Sequence, residues 1–274
     1  MKLLLLFLIV SSFLFSKEDL CVCCIFQNDA KYLPEWIEFH EKQGVSHFYL
    51  YNNHSQDDYK SYLAPYIKEK RITLINWPIS YNNEQEWTKV QCMAYMHAAV
   101  KARDRFKWCA FLDTDEFLFS PLGKITDILP NYKNFSGLCV NWVVYSTSFI
   151  DKIPDGECLT DWLIWRMELS SETNLHVKTI ARLDMVKGCI NPHNLLYHEG
   201  FAVDENYNEI TYAFTKVNSV SKIRINHYWT RDRDFFINQK MPRYKTWRGI
   251  DLSLESAEEG NQVYDPILSS SYSR

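Results

Sequence analysis

The fold this sequence predicts is α/β, with a mostly parallel central sheet flanked by helices. Three observations predict it. Apolar, strand-like runs alternate with helix-like stretches three times between residues 20 and 105, a pattern that builds right-handed βαβ units and a parallel sheet. Polar clusters follow the first, second and fourth of these strands, at the carboxyl ends where open α/β sheets hold ligands. The fourth strand, Trp108-Cys-Ala-Phe-Leu, runs straight into Asp113-Thr-Asp115-Glu116, and charges at such a place are costly unless paired, solvated or bound to metal. The arrangement is that of a Rossmann-like half followed by a second, less regular half.

Taken in order, residues 20–26 form the first buried strand and end in Gln27-Asn28-Asp29. The helix over 33–40 puts Leu33, Trp36, Ile37 and His40 on one face, takes Pro34 in its first turn and stops at Gly44. The second strand, 46–51, opens into Asn52-Asn53-His54-Ser55-Gln56-Asp57-Asp58. Residues 59–68 read as a helix despite Pro65, 71–77 as the third strand, and 85–105 as a long helix with Val90, Met93, Ala94, His97 and Val100 or Lys101 along one side. In the second half, strands are expected at 138–145, 178–183 and 222–229, strand or helix at 159–169, and loops around 192–194 and 198–200. A helix follows at 232–240, with Asp232 or Asp234 near its start. Residues 17–250 make one domain, and 251–274 read as a tail rich in Ser and Glu.

With 274 residues, 46% of them hydrophobic and 15% aromatic, the chain can bury a sizeable core. A net charge of −4 and a pI of about 6.1 give no case for nucleic acid. The first sixteen residues resemble a secretory signal, with a short signal-anchor as the second reading and a buried N-terminal element as the third. They suggest a membrane-associated or secretory-pathway protein. The eight cysteines have no zinc-finger spacing and sit mostly in apolar runs, where they act as small hydrophobes; export would allow one or two disulfides.

Asp113-x-Asp115 brings two carboxylates near one point, where a hard cation such as Mn²⁺ or Mg²⁺ would accept them; the alternative is an acidic turn between strands. With only eight glycines, and no Gly-x-Gly-x-x-Gly or P-loop pattern, there is no glycine cradle for phosphate. A bound diphosphate would then need a metal or basic side chains, which gives Asp113 and Asp115 more weight.

A series of short motifs occurs in order: Asn28-Asp29; 32–40 with Leu33-Pro34-Glu35-Trp36; Gly44-Val45; Tyr51-Asn52-Asn53-x-Ser55-x-Asp57; Leu112 to Leu118; Asn141-Trp142; 178–182; Pro192-His193; and Ile225-Asn226-His227-Tyr228. Through them the chain resembles the GT-A-fold glycosyltransferases, close to glycosyltransferase family 92 and its bacterial family-2-like relatives. Asp29 stands where the family usually has Glu. The resemblance implies a GT-A fold, a nucleotide-sugar donor with a UDP-sugar favoured, a divalent cation, and inverting transfer of a hexose to a hydroxyl of a glycan or glycolipid. It maps the family's Asp-x-Asp onto Asp113 and Asp115.

The expected metal ligands are Asp113, Asp115 and His227, with His193 behind His227. Asn28, Asp29, Asn52, Asn53, Ser55, Asp57, Lys89 and Asp113 are expected to bind the nucleotide sugar, although the polar residues after a strand also cap helices. Gln91 and Lys178 are further reach-in candidates. Inversion needs a general base, for which Glu116, Asp161 and Glu199 are candidates. The bases Arg231, Arg233, Lys240, Arg243, Lys245 and Arg248 read by default as a solvated face. Rival readings are a non-catalytic carbohydrate-binding domain of the same fold and a metal-dependent nucleotidyl or phosphoryl transferase.

Overall fold

The computed structural model describes residues 16–270, so the signal-like segment lies outside the described residues except for Ser16. Strands β1 (Glu18–Phe26), β2 (His47–Asn52), β3 (Ile72–Asn76) and β4 (Phe106–Phe111) pair in parallel in the order β3-β2-β1-β4. The alternation of β1 explains why it is apolar throughout. Leu20, Val22, Cys24 and Phe26 enter one core, while Cys21, Cys23 and Ile25 enter the other. A strand covered on both faces reads as a continuous hydrophobic run.

Helices α1 (Leu33–Lys42) and α2 (Tyr59–Lys68) cover the first face, through Leu33, Trp36, Ile37, Leu63 and Tyr66. His40 is fully buried on the same stripe, and its Nε2 accepts the Leu118 N–H at 3.0 Å. Helix α3 (Glu84–Ala102) covers the second face. Its buried stripe is rotated from the expected one: Met93 and Val100 are 45% and 53% exposed, whereas Gln91, Tyr95, Ala98, Ala99 and Ala102 are buried. Close approach to the sheet is made by small alanines, which a search for large apolar residues passes over.

The second half mixes directions. It comprises β5 (Glu116–Phe119), α4 (Ile125–Ile128), β6 (Gly137–Val144), α5 (Leu159–Trp162), β7 (Trp165–Arg166), β8 (Val177–Arg182), β9 (Val186–Asn191), β10 (Asn194–Tyr197), β11 (Ala202–Val203), β12 (Glu209–Ile210) and β13 (Arg224–His227). Strand β8 lies antiparallel between β4 and β6. Strand β13 runs parallel to β6 and antiparallel to β5, with His227 opposite Glu116. That register carries the end of β13 to the acidic motif. Beyond it come α6 (Arg233–Phe235), capped by the Asp232 carboxylate, a π-helical turn at Phe236–Lys240, and α7 (Met241–Arg248).

The C-terminal stretch is no loose tail through residue 270. After α8 (Leu254–Glu258), β14 (Val263–Tyr264) pairs with β7, and Asp265 bridges Arg166 at 2.7 Å and Arg224 at 3.1 Å. All eight cysteines are free thiols, six of them buried. Among the described residues, no helix is long and apolar enough to cross a membrane.

Candidate active site

The strand order reverses between β1 and β4, and a cavity of about 590 Å³ opens beyond their carboxyl ends. Asp113 and Asp115 both line it. One oxygen of Asp113 accepts the Gln91 amide at 2.8 Å and the other accepts the Lys178 ammonium at 2.8 Å. Glu116 lies beneath, fully buried and outside the cavity lining. Its Oε2 accepts the Asp113 N–H at 2.8 Å and stands 3.5 Å from Lys178 Nζ. Burial pushes the Glu116 carboxyl up to about 8, and Asp113 and Asp115 add to that rise against Lys178. Glu116 is therefore not placed to meet an acceptor hydroxyl: it holds the backbone of the acidic turn and faces a buried lysine.

Asp115 is oriented differently. Its Oδ1 is 3.5 Å from His227 Nε2 and its Oδ2 is 3.2 Å from Lys240 Nζ. Burial alone would raise this carboxyl; Lys240, then His227 and Arg231, outweigh it and hold Asp115 ionised, well below the usual range. The His227 ring packs on Trp142 at 4.2 Å, and its buried Nδ1 has no partner. A carboxylate oxygen and an imidazole nitrogen thus meet at the cavity wall from the ends of β4 and β13, a donor pair suited to Mn²⁺ or Mg²⁺. Among the described residues no three His, Cys, Asp or Glu side chains form a metal cage. Asp113 lines the same cavity with Gln91 and Lys178 on its two oxygens, as Asp115 has His227 and Lys240 on its own.

Asp29 also lines the cavity, but as part of a buried support. Its oxygens accept from Arg231 at 2.6 Å and Thr114 at 2.9 Å, and Arg231 also donates to the Thr114 hydroxyl at 3.0 Å. The Arg231 guanidinium lies 3.8 Å from the centre of the Tyr32 ring and 4.3 Å from that of Phe235. The chain reaches this position with φ +54 at Arg231. Arg231 and Lys240 are accordingly not part of a solvated face: both are buried against the acidic motif.

Asn28, Asn52, Asn53, Ser55, Asp57 and Lys89 do not line the cavity. The Asn28 N–H donates to Ser55 Oγ at 3.0 Å and the Gln56 N–H to Asn28 Oδ1 at 2.8 Å. Asp57 Oδ2 accepts the Ala30 N–H at 2.8 Å, Asn52 Oδ1 accepts from Ser55 N, and Asn53 donates to the carbonyls of Trp77 and Ile79. These side chains stitch the loops after β1 and β2 together, the local role that polar residues after a strand often take. Lys89 is exposed on the outer side of α3, while Gln91, two residues on, faces the cavity. Asp161, on α5, accepts the Ser270 N–H, and Glu199 is exposed in a turn. Neither of these reaches the cavity as a base. His193 does line it, with Nδ1 held by the Val177 carbonyl at 2.9 Å and burial lowering it to about 3.

Sequence reasoning missed two groups. In the cavity lining Tyr81, Trp87 and Trp247 form a ring cluster, with Trp87 and Trp247 stacked at 5.6 Å. His176, also in the lining, stacks on Trp142 at 4.9 Å. For the ring cluster the only signal was the high aromatic content, which gives no position; for the second group Trp142 stood in the Asn141-Trp142 motif with no role attached.

A glycosyltransferase family 92 protein of Ricinus communis is 32% identical over 119 residues, 43% of this chain and 20% of that protein. One from Oryza sativa subsp. japonica is 34% identical over 117 residues, 42% of this chain and 19% of that protein. The β-1,4-galactosyltransferase galt-1 of Caenorhabditis elegans is 30% identical over 126 residues, covering 44% of this chain and 29% of that protein. These alignments thus span no more than about a third of each relative. Among solved structures, S. aureus TarS 1–349 aligns with 60% of this chain and 47% of its own at 13% identity, with a TM-score of 0.38. Residues 19–259 match Glycosyltransferase family 92, and the chain belongs to that family.

Proposed function

We propose that this domain transfers a hexose from a nucleotide-sugar donor, a UDP-sugar by preference, to a hydroxyl of a glycan or glycolipid, with inversion and with a bound Mn²⁺ or Mg²⁺. The observation that carries the reading is the meeting of Asp115 and His227 at the cavity wall, on an α/β sheet whose order reverses beside them. A divalent cation bound there would supply countercharge to the departing diphosphate. Asp115, held ionised, and His227 would hold that cation, and phosphate oxygens and water would complete its shell, as such ions prefer. Lys240 adds a positive charge beside the same carboxylate.

Asp113 is fixed by Gln91 and Lys178, with its side chain 36% exposed, and is placed to accept hydrogen bonds from ribose or sugar hydroxyls. Tyr81, Trp87 and Trp247 offer ring faces for the base. The nematode relative is named a β-1,4-galactosyltransferase, which supports galactose as the first sugar to try.

The test is a panel of UDP- and GDP-sugars with Mn²⁺, read as release of nucleotide diphosphate. One donor is expected to turn over, to stop with EDTA, and to lose at least about a hundredfold in rate with Asp115→Ala, the scale seen when a charge-stabilising group is removed. Turnover that ignores both EDTA and Asp115→Ala overturns the assignment, and binding of a nucleotide sugar with no turnover would favour the carbohydrate-binding reading.

A further inference from the structure

We infer that Tyr212, Phe214 and His176 form a shelf that stacks the sugar ring of the acceptor. This deepens the transferase reading and rests on it. Phe214 forms a β-bridge with His176 beside the start of β8, and the chain bends at 212–213 and again at 216–217. The Val177 N–H donates to the Ala213 carbonyl at 3.1 Å and the Thr215 N–H to the Leu175 carbonyl at 2.9 Å. Ala213 and Thr215 are buried, and Thr215 Oγ1 accepts from Asn141 at 2.7 Å. Tyr212 and Phe214, which alternate with them, are 60% and 47% exposed.

A continuous run of rings leads inward from them. Tyr212 lies 6.1 Å from Phe214, Phe214 lies 4.3 Å from His176, and His176 stacks on Trp142, which packs against His227. His227 is 3.5 Å from Asp115. The shelf thus joins the surface to the cavity wall at His227, beside the carboxylate proposed to hold the cation, where an acceptor has to approach.

The chemistry of the shelf selects its occupant. Aromatic side chains have few rotatable bonds and so cost little ordering entropy on binding. The C–H faces of a pyranose are apolar while its rim is hydroxylated. His176 supplies the matching polar group: its Nδ1 donates to the Thr173 carbonyl at 2.9 Å, and among the described residues its Nε2 has no partner. That nitrogen is left to accept a hydrogen bond from a hydroxyl of the stacked ring.

Saturation-transfer NMR tests this with UDP, N-acetyllactosamine, cellotetraose, chitotetraose and mannotetraose as probes. With the wild-type chain, at least one saccharide is expected to show saturation of its ring C–H protons. In the Tyr212→Ala/Phe214→Ala double variant that signal should fall about tenfold or more while UDP saturation is unchanged. Phe214→Trp should keep it. The shelf is overturned if no saccharide on the panel is saturated, or if the double variant binds as the wild type does. Loss of UDP saturation in the wild type would instead count against the transferase reading, and the saccharide signals would still judge the shelf.

Discussion

Arg231 shows most clearly what one residue does here. It is buried, it pairs with Asp29, and through Thr114 it fixes the turn between the two cavity carboxylates. Arg231→Met should leave Asp29 buried without its counter-ion, a change that typically costs about 3–5 kcal/mol. Thermal denaturation would read this as a large drop in Tm, and an unchanged Tm would show that the pair is dispensable. The sequence could not reveal this role. Arg231 opens a run dense in bases, and charge density alone says solvent; its burial depends on a positive φ and on Tyr32, Asp29 and Thr114 arriving from distant parts of the chain. Asp113 and Asp115 were legible because apolar residues leading into three acids is a local pattern. The side chains each one meets were not, since Lys178, Gln91 and Lys240 arrive from three other elements.

Among the elements, the order of the parallel half was legible. Helices α1 and α2 carry their period in a short window, and parallel strands buried on both faces announce themselves as apolar runs. Helix α3 was legible as a helix but not in its buried stripe, where alanines and Gln91 stand in place of Met93 and Val100. The second half was legible in pieces only. Its antiparallel insertion of β8, the pairing of β13 with β5, and strands as short as Trp165–Arg166 are set by partners far along the chain. Helix α7 is a further case. It has no buried residue of its own, yet Trp247 stacks on Trp87 and Arg248 pairs with Glu84 at the start of α3. If these rings receive the base, Trp247→Ala should weaken UDP binding about tenfold or more by calorimetry, the usual worth of a base–aromatic stack, with little change in Tm. Unaltered UDP affinity would move the base elsewhere.

At the scale of the whole molecule, stability rests on non-covalent packing and on buried carboxylates with many donors. All eight thiols are free, so reductant should leave the melting temperature unchanged; a drop would reveal a disulfide. Burial alone would raise the Glu205 carboxyl, but hydrogen bonds from Ser219, Ser221, Lys222 and Ile223 outweigh it and hold it below its ordinary value. A carboxyl lowered in the folded state contributes stability above its unfolded value, and that contribution is lost as pH falls through the folded value. Tm should therefore fall on acidification below about pH 4.5, and less steeply in Glu205→Gln than in the wild type. A parallel pH profile for the two would contradict this.

The central claim is that Asp115 and His227, rather than Asp113, hold the cation beneath a nucleotide diphosphate. Calorimetric titration of Mn²⁺ into the UDP-bound chain tests it most directly. The account predicts binding in the wild type and in Asp113→Asn, and its loss in both Asp115→Ala and His227→Ala. Wild-type affinity in Asp115→Ala, or loss confined to Asp113→Asn, would contradict it.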